Sequence, residues 1–133
     1  MRKIGPLVAV GILLSAAAPV LAHHAFSAEF DQSKPIKLTG EITKLEWTNP
    51  HAWLFIDVKG PDGKVVNWRL EMGAPNALLR AGWSRSDIKP GTPVTISGFL
   101  ARAGGPVGNA FQVRLPDGRD LFAASSLKDE TAK

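Results

Sequence analysis

The chain of 133 residues contains no cysteine and no tyrosine. Without cysteine it forms no disulfide, attaches no c-type haem, and offers neither thiolate metal ligands nor a cysteine nucleophile. It also lacks the residue to which the lipid of a lipoprotein is attached. The fold must therefore be stabilised by its apolar core, to which four tryptophans and six phenylalanines contribute large nonpolar side chains.

The sequence has little excess charge of either sign. The formal net charge is +4, and Arg2 and Lys3 contribute two of these positive charges. The 111 residues after position 22 carry 14 basic and 12 acidic side chains, a net charge of +2. Domains that bind nucleic acids usually have a strongly basic surface. We therefore predict that nucleic acid is not a partner of this protein.

A long apolar run occurs near the N-terminus. Two basic residues precede the apolar segment Leu7–Ala18, and Val20–Ala22 provides the small or apolar residues typical of a signal-peptidase site. A transmembrane anchor is the alternative, because Ile4–Ala22 approaches the roughly 20 apolar residues of a spanning helix. Glycines and prolines interrupt the run, however, and no cluster of Lys or Arg follows it. We therefore predict a signal peptide over residues 1–22, a periplasmic or secreted protein, and no membrane span after cleavage.

The sequence after residue 35 consists of short apolar runs separated by turn residues, which is typical of β-structure. A helix-forming segment, Pro75–Trp83, and a helical turn at Ser84–Ile88 interrupt these runs. Three strands, a short helix and further strands predict an all-β fold with one short helix, a five-stranded barrel like the OB fold. The predicted strands are Leu38–Trp47, Trp53–Lys59, Val65–Met72, Val94–Ala101, Phe111–Leu115 and a short return strand, Asp120–Ala123.

The pattern within these runs predicts finer features. The apolar phase of the first strand changes near Thr43–Lys44, which predicts a bulge or bend. Alternation in the third strand predicts that Val66 and Leu70 face the core and that Glu71 lies on a solvated outer face. We divide the chain into a signal peptide (1–22), an N-terminal arm (23–35), the barrel domain (36–124) and a disordered tail (125–133).

Several short motifs are distinctive: His23–Asp31, Lys34–Ile36, Glu46–His51, Gly73–Asn76, Arg80–Trp83 and Leu115–Arg119. These motifs resemble those of a family of small exported bacterial proteins of unknown function. The resemblance covers nearly all of the chain after residue 22. It implies a periplasmic, OB-like domain, and it implies no activity, because the family has none assigned.

The chain has three histidines, His23, His24 and His51. After cleavage at Ala22, the α-amine and ring of His23 would chelate a metal ion, and His51 would complete a planar three-nitrogen site. Such a site suits Cu(II), with Zn(II) as the other metal to consider. His24 would substitute for His51 or supply an outer ligand. The alternative is a solvated terminus without a metal, with His51 as an ordinary turn residue.

The outer face of the second and third strands is a second candidate site, because OB folds often bind ligands there. Aromatic rings beside an arginine can stack on a sugar or a base. We expect, however, that the arm packs Phe26 and Phe30 across this face and covers it. The predicted ligand-binding residues of the face are Trp53, Phe55, Asn67 and Arg69.

No arrangement of residues typical of a catalytic site is recognisable, and we predict a monomeric protein that is not an enzyme. Two functions remain open. One is copper binding through an N-terminal histidine, and the other is interaction with an envelope protein or glycan. An oxidative copper enzyme would use the same N-terminal geometry, but the chain has no tyrosine to act as an axial or redox residue.

Overall fold

The computed structural model of the chain describes residues 26–124. Residues 26–29 are helical, and six strands follow, with a short helix, α1, between the third and fourth strands. A 3₁₀ turn at Arg85–Asp87 follows α1. The elements are β1 (Phe30–Glu46), β2 (Trp53–Lys59), β3 (Val65–Glu71), α1 (Pro75–Arg80), β4 (Pro93–Ala101), β5 (Val107–Arg114) and β6 (Asp120–Phe122).

The strands form a closed barrel. Their order is β3-β2-β1-β4-β5-β6, and an additional parallel pairing between β3 and β5 closes a ring of five strands. The sixth strand pairs with the later part of β5, beyond the residues of β5 that pair with β3. This connectivity, with α1 between β3 and β4, confirms the predicted all-β, OB-like barrel.

Strand β1 belongs to both sides of the barrel. Its first part pairs with β4 and its end, from Glu41 to Glu46, pairs with β2. The register with β2 shifts between Ile42 and Lys44, which confirms the predicted bulge. At Gly40 the neighbouring strand lies so close that a Cβ atom would stand 2.2 Å from the carbonyl oxygen of Asp57. Glycine is therefore required where β1 bends.

The start of β1 differs from the predicted one, because the strand begins at Phe30 and not at Leu38. The additional residues are mostly polar and include Pro35, so their composition gave no strand signal. Pairing with β4 holds them in the sheet, with Phe30 opposite Ala101 and an irregular register between Asp31 and Pro35. Residues 30–35 of the predicted arm are thus part of the barrel's longest strand.

The core fills the barrel and extends under α1. Leu54, Ile56 and Leu70 have no exposed surface. Leu78 of α1 is 1% exposed, and the Nε1–H of Trp83 donates to the carbonyl oxygen of Phe122 at 2.7 Å. Helix α1 therefore packs against the barrel, and it begins at Pro75 as predicted.

Two predictions for β3 are wrong. Val66 is 44% exposed and does not face the core, because it lies opposite Val58 at the hairpin end of the β2–β3 pair. Glu71 was expected on a solvated face but is 7% exposed. It lies where β3 pairs on both sides, opposite Trp53 of β2 and Asn109 of β5, so neighbouring strands surround its side chain.

The predicted signal peptide and tail lie outside the described residues. Within residues 26–124, no helix has the length and apolar character needed to span a bilayer.

Candidate functional site on the outer face of β2 and β3

The four predicted ligand-binding residues lie together on one face of the β2–β3 pair. Phe55 lies opposite Arg69, and Asp57 lies opposite Asn67. Trp53 lies one step further along β2, opposite Glu71. Because side chains alternate between the two sides of a strand, all six side chains of these pairs share the outer side of the sheet.

Cationic side chains lie over both aromatic rings of this face. The guanidinium carbon of Arg69 is 3.7 Å from the centroid of the Trp53 ring. The Nζ of Lys44 is 5.3 Å from the centroid of the Phe55 ring. Both rings are half-buried. Since cations are attracted to aromatic faces, these contacts orient the rings. Lys44 is also paired with Glu46, with 2.6 Å between Nζ and Oε1.

The other end of the face is polar. The Nδ2 of Asn67 donates to Oδ1 of Asp57 at 2.8 Å and to Oγ1 of Thr43 at 3.0 Å. The bulge in β1 brings Thr43 to this position, because the residue between Ile42 and Lys44 has no partner in β2. Asn67 is thus held by its neighbours.

The N-terminal arm does not cover Trp53 and Phe55 with its described residues, so the expectation of such a cover is wrong. Phe26 and Phe30 form a separate apolar cluster with Ala101, against which Phe99 and Val107 pack. The ring centroids of Phe26 and Phe30 are 5.2 Å apart. The reason is the register of β1, which directs the arm along β4 instead of across β2 and β3.

Hydrogen bonds hold the arm at the loop between β4 and β5. The backbone N–H of Arg102 donates to the carbonyl oxygen of Glu29 at 2.8 Å. The Nε–H of Arg102 donates to the carbonyl oxygen of Ser27 at 2.6 Å. The arm and this loop are therefore fixed to one another.

At the end of β3, His51 contacts the buried Glu71. The Nδ1 of His51 lies 2.8 Å from Oε1 of Glu71, and the two side chains are 38% and 9% exposed.

His51 belongs to the loop between β1 and β2, which contains a cis peptide bond between Asn49 and Pro50. The hydroxyl of Thr48 donates to the carbonyl oxygen of His51 at 3.0 Å. The neighbouring Ala52 is bonded through its backbone to Met72 and Gly73, which fixes the loop to the end of β3.

The environment of Glu71 raises its pKa above the ordinary value of 4.5. Burial is the main cause, because it disfavours the ionised carboxylate, and the negative charge of Glu29 acts in the same direction. His51 and Arg69 oppose this increase in the pKa through their positive charges. The carboxyl group is thus poorly solvated, and it contacts the ring of His51.

Of the three predicted metal ligands, only His51 lies within the described residues; His23 and His24 lie outside them. Within residues 26–124, no group of three or more His, Cys, Asp or Glu side chains is arranged to hold a metal ion. The three-nitrogen site therefore stays a prediction, with one of its members located at the edge of the outer face.

Sequence reasoning missed the importance of Glu71. Its strand position alternates with apolar residues, which is the ordinary pattern of a solvated face. Its burial depends on the parallel pairing of β3 with β5, between segments that are far apart in the sequence. No local pattern could have indicated this neighbourhood.

Comparison with known protein families places this chain in one of them. A family model described as a family of unknown function (DUF6152) matches residues 10–110, so the chain belongs to this family. No curated protein and no solved structure matches the chain.

Proposed function

We propose that this DUF6152 protein is an exported, nonenzymatic domain of the periplasm that binds a copper ion. The ligands are the α-amine and ring of His23, exposed by cleavage after Ala22, and the ring of His51. His24 supplies an outer ligand. The observation that carries the proposal is the contact between His51 and the buried carboxylate of Glu71.

This contact is the arrangement that metal-binding histidines usually have. A histidine that binds a metal through one ring nitrogen commonly donates the other N–H to a carboxylate, which fixes the tautomer and the orientation of the ring. Glu71 occupies Nδ1 of His51 at 2.8 Å, so Nε2 is the nitrogen left for a metal. The ring is also partly exposed, as a ligand that must meet an incoming ion has to be.

The proposal requires the chain that precedes the arm to reach His51. The negative charge of Glu29 contributes to the raised pKa of Glu71, which supports an arm that runs towards this carboxylate. Phe26 follows His23 by only three positions, and this length of chain spans about 10 Å when extended. Amine and imidazole nitrogens in a planar arrangement favour Cu(II) over the other divalent ions of the first transition row.

The first test of the proposal is the mass of the exported protein. Intact-mass spectrometry of the protein recovered from the periplasm is expected to give a chain that begins at His23. A chain that begins at any other residue would lack the chelate formed by the α-amine and ring of His23 and would overturn the proposal.

The second test is a competitive titration of Cu(II) into the exported protein. One ion is expected to bind per chain. We expect His51→Ala to weaken binding by more than tenfold. Glu71→Gln is expected to weaken it by about tenfold, which is the usual effect of losing a carboxylate that orients a metal-binding histidine. Glu41→Gln is the matched control, because Glu41 is an exposed strand glutamate. Equal affinities for the wild type and His51→Ala would contradict the assignment of the ligand.

A second function is favoured by the partly exposed rings of Trp53 and Phe55. The guanidinium of Arg69 stacks on Trp53, and Phe26 and Phe30 of the arm pack elsewhere, so the remaining exposed surface of these rings is what an envelope protein or glycan would contact. Soluble peptidoglycan fragments, titrated into the ¹⁵N-labelled protein, are expected to shift the resonances of β2 and β3. Trp53→Ala should abolish these shifts, whereas Leu79→Ala, at an exposed leucine of α1, should preserve them. If the fragments shift no resonances of β2 and β3, this second function is excluded for glycans.

A further inference from the structure

We propose that the outer face of β1, β4 and β5 binds a small amphipathic monoanion, such as a carboxylate with a short apolar chain. This site lies on a different part of the barrel from His51 and from the Trp53 face. It consists of two adjoining grooves, one apolar and one polar, which meet at Lys37 and Ser97.

The apolar groove has a volume of about 390 Å³. Its walls include Pro35, Phe99 and Phe111, and Gly98 lies between them. The register of β4 with β5 shifts at this point: Ser97 lies opposite Gln112 and Gly98 opposite Ala110. Phe111 is therefore the extra residue of a bulge, and its ring is placed beside the groove instead of in the regular alternation of β5.

Both aromatic walls are held in place by further rings. Phe111 contacts Phe122 edge to face, with centroids 5.2 Å apart. Phe99 contacts Phe26 edge to face at 6.5 Å, and its backbone N–H donates to Oδ1 of the buried Asn109 at 3.0 Å. A ligand would thus enter a groove whose walls are already ordered, which lowers the entropic cost of binding.

The polar groove has a volume of about 330 Å³. Hydroxyl and amide groups line it, including Thr39 and Thr95, whose hydroxyl oxygens are 3.2 Å apart, and Gln112. Arg114 also lines it but is paired with Asp120 through two hydrogen bonds of 2.6 and 2.7 Å.

The charge of the polar groove selects the ligand. Lys37 forms no ion pair within residues 26–124. Since the charges of Arg114 and Asp120 compensate each other, one positive charge remains at the junction of the two grooves. A ligand whose anionic head group lies beside Lys37 would place its apolar chain in the groove lined by Phe99 and Phe111. The site therefore matches a ligand with one negative charge at one end and an apolar group at the other.

The experiment uses octanoate and the neutral octan-1-ol as probes, with a chelator present so that copper plays no part. Each is titrated into the ¹⁵N-labelled, purified protein. Octanoate is expected to bind at one saturable site, with shifted resonances confined to β1, β4 and β5. Octanol is expected to bind about two- to fivefold more weakly, the difference that an exposed ion pair makes.

Two variants locate the ligand. Lys37→Gln is expected to weaken octanoate binding by about two- to fivefold and to leave octanol binding unchanged. Lys64→Gln, at an exposed lysine of the β2–β3 hairpin, is the matched control and should bind both probes like the wild type. Phe111→Ala is expected to weaken the binding of both probes by about tenfold. If this variant fails to fold, Lys37→Gln still decides the question.

Equal binding of octanoate and octanol, or equal effects of Lys37→Gln and Lys64→Gln, would show an apolar surface without anion recognition and would overturn the proposal. Shifts spread over the whole chain, or no saturation, would also overturn it. None of these outcomes bears on copper binding by His51.

Discussion

At the scale of single residues, Glu71 differs most from its expected role. The sequence places it among outward-facing polar residues of β3, and the structure encloses it between Trp53 and Asn109. A buried carboxylate is costly unless it is paired, and His51 is the partner that the fold provides. This pair connects the barrel to the proposed metal site, because it orients the only described imidazole of the chain.

The raised pKa of Glu71 predicts a dependence of stability on pH in the metal-free protein. The folded state holds a proton at Glu71 at pH values where the unfolded state has lost it. The contribution of Glu71 to the free energy of unfolding is therefore present below the ordinary pKa of 4.5 and is lost as the pH rises through the raised value.

Urea denaturation at a series of pH values, with a chelator present, measures this effect. The stability of the wild type relative to Glu71→Gln should fall as the pH rises above about 4.5. Glu41→Gln, at an exposed position, should show no such trend relative to the wild type. A wild type that instead gains stability relative to Glu71→Gln over this range would contradict the burial effect.

At the scale of elements, sequence patterns predicted the features that depend on residues near one another in the chain. Strand β2 has the bounds Trp53–Lys59 that its alternating pattern predicts. The bulge near Thr43 and the proline at the start of α1 were also predictable, because each follows from a local rule. The early start of β1 at Phe30 was not predictable, because polar residues and Pro35 enter the sheet only through pairing with distant β4.

Helix α1 provides a matched test of packing. Leu78 is 1% exposed and its neighbour Leu79 is 52% exposed. We expect Leu78→Ala to lower the free energy of unfolding by about 2–5 kcal/mol, because it leaves a cavity in the core. Leu79→Ala should change it by less than about 0.5 kcal/mol. Chemical denaturation measures both, and equal effects would mean that α1 does not pack on the barrel through Leu78.

The bulge between β4 and β5 provides a second test at this scale. A Cβ atom at Gly98 would lie 1.8 Å from the carbonyl oxygen of Asn109, so the strands would have to move apart. We expect Gly98→Ala to destabilise the protein by about 3 kcal/mol. At Gly60, the nearest atom to an added Cβ is a side-chain oxygen of Asp62, which can move, so Gly60→Ala should have a small effect. A wild-type denaturation midpoint for Gly98→Ala would contradict the close approach.

At the scale of the whole molecule, the barrel brings together loops that are distant in the sequence. The β1–β2 loop with His51 and the end of β3 with Glu71 meet at one edge of the outer face. The order of strands and helix was sufficient to predict the architecture. It could not predict this meeting point, because the closure of β3 on β5 and the path of the arm along β4 are long-range features.

The most direct test of the proposed function is the EPR spectrum of the exported protein loaded with one equivalent of Cu(II). A copper ion held by an amine and two imidazoles predicts hyperfine splitting from three nitrogen ligands. The His51→Ala protein should lose one of these nitrogens and show an altered spectrum. If the spectra of the two proteins are identical, His51 is not a ligand, and the role assigned to its contact with Glu71 is wrong.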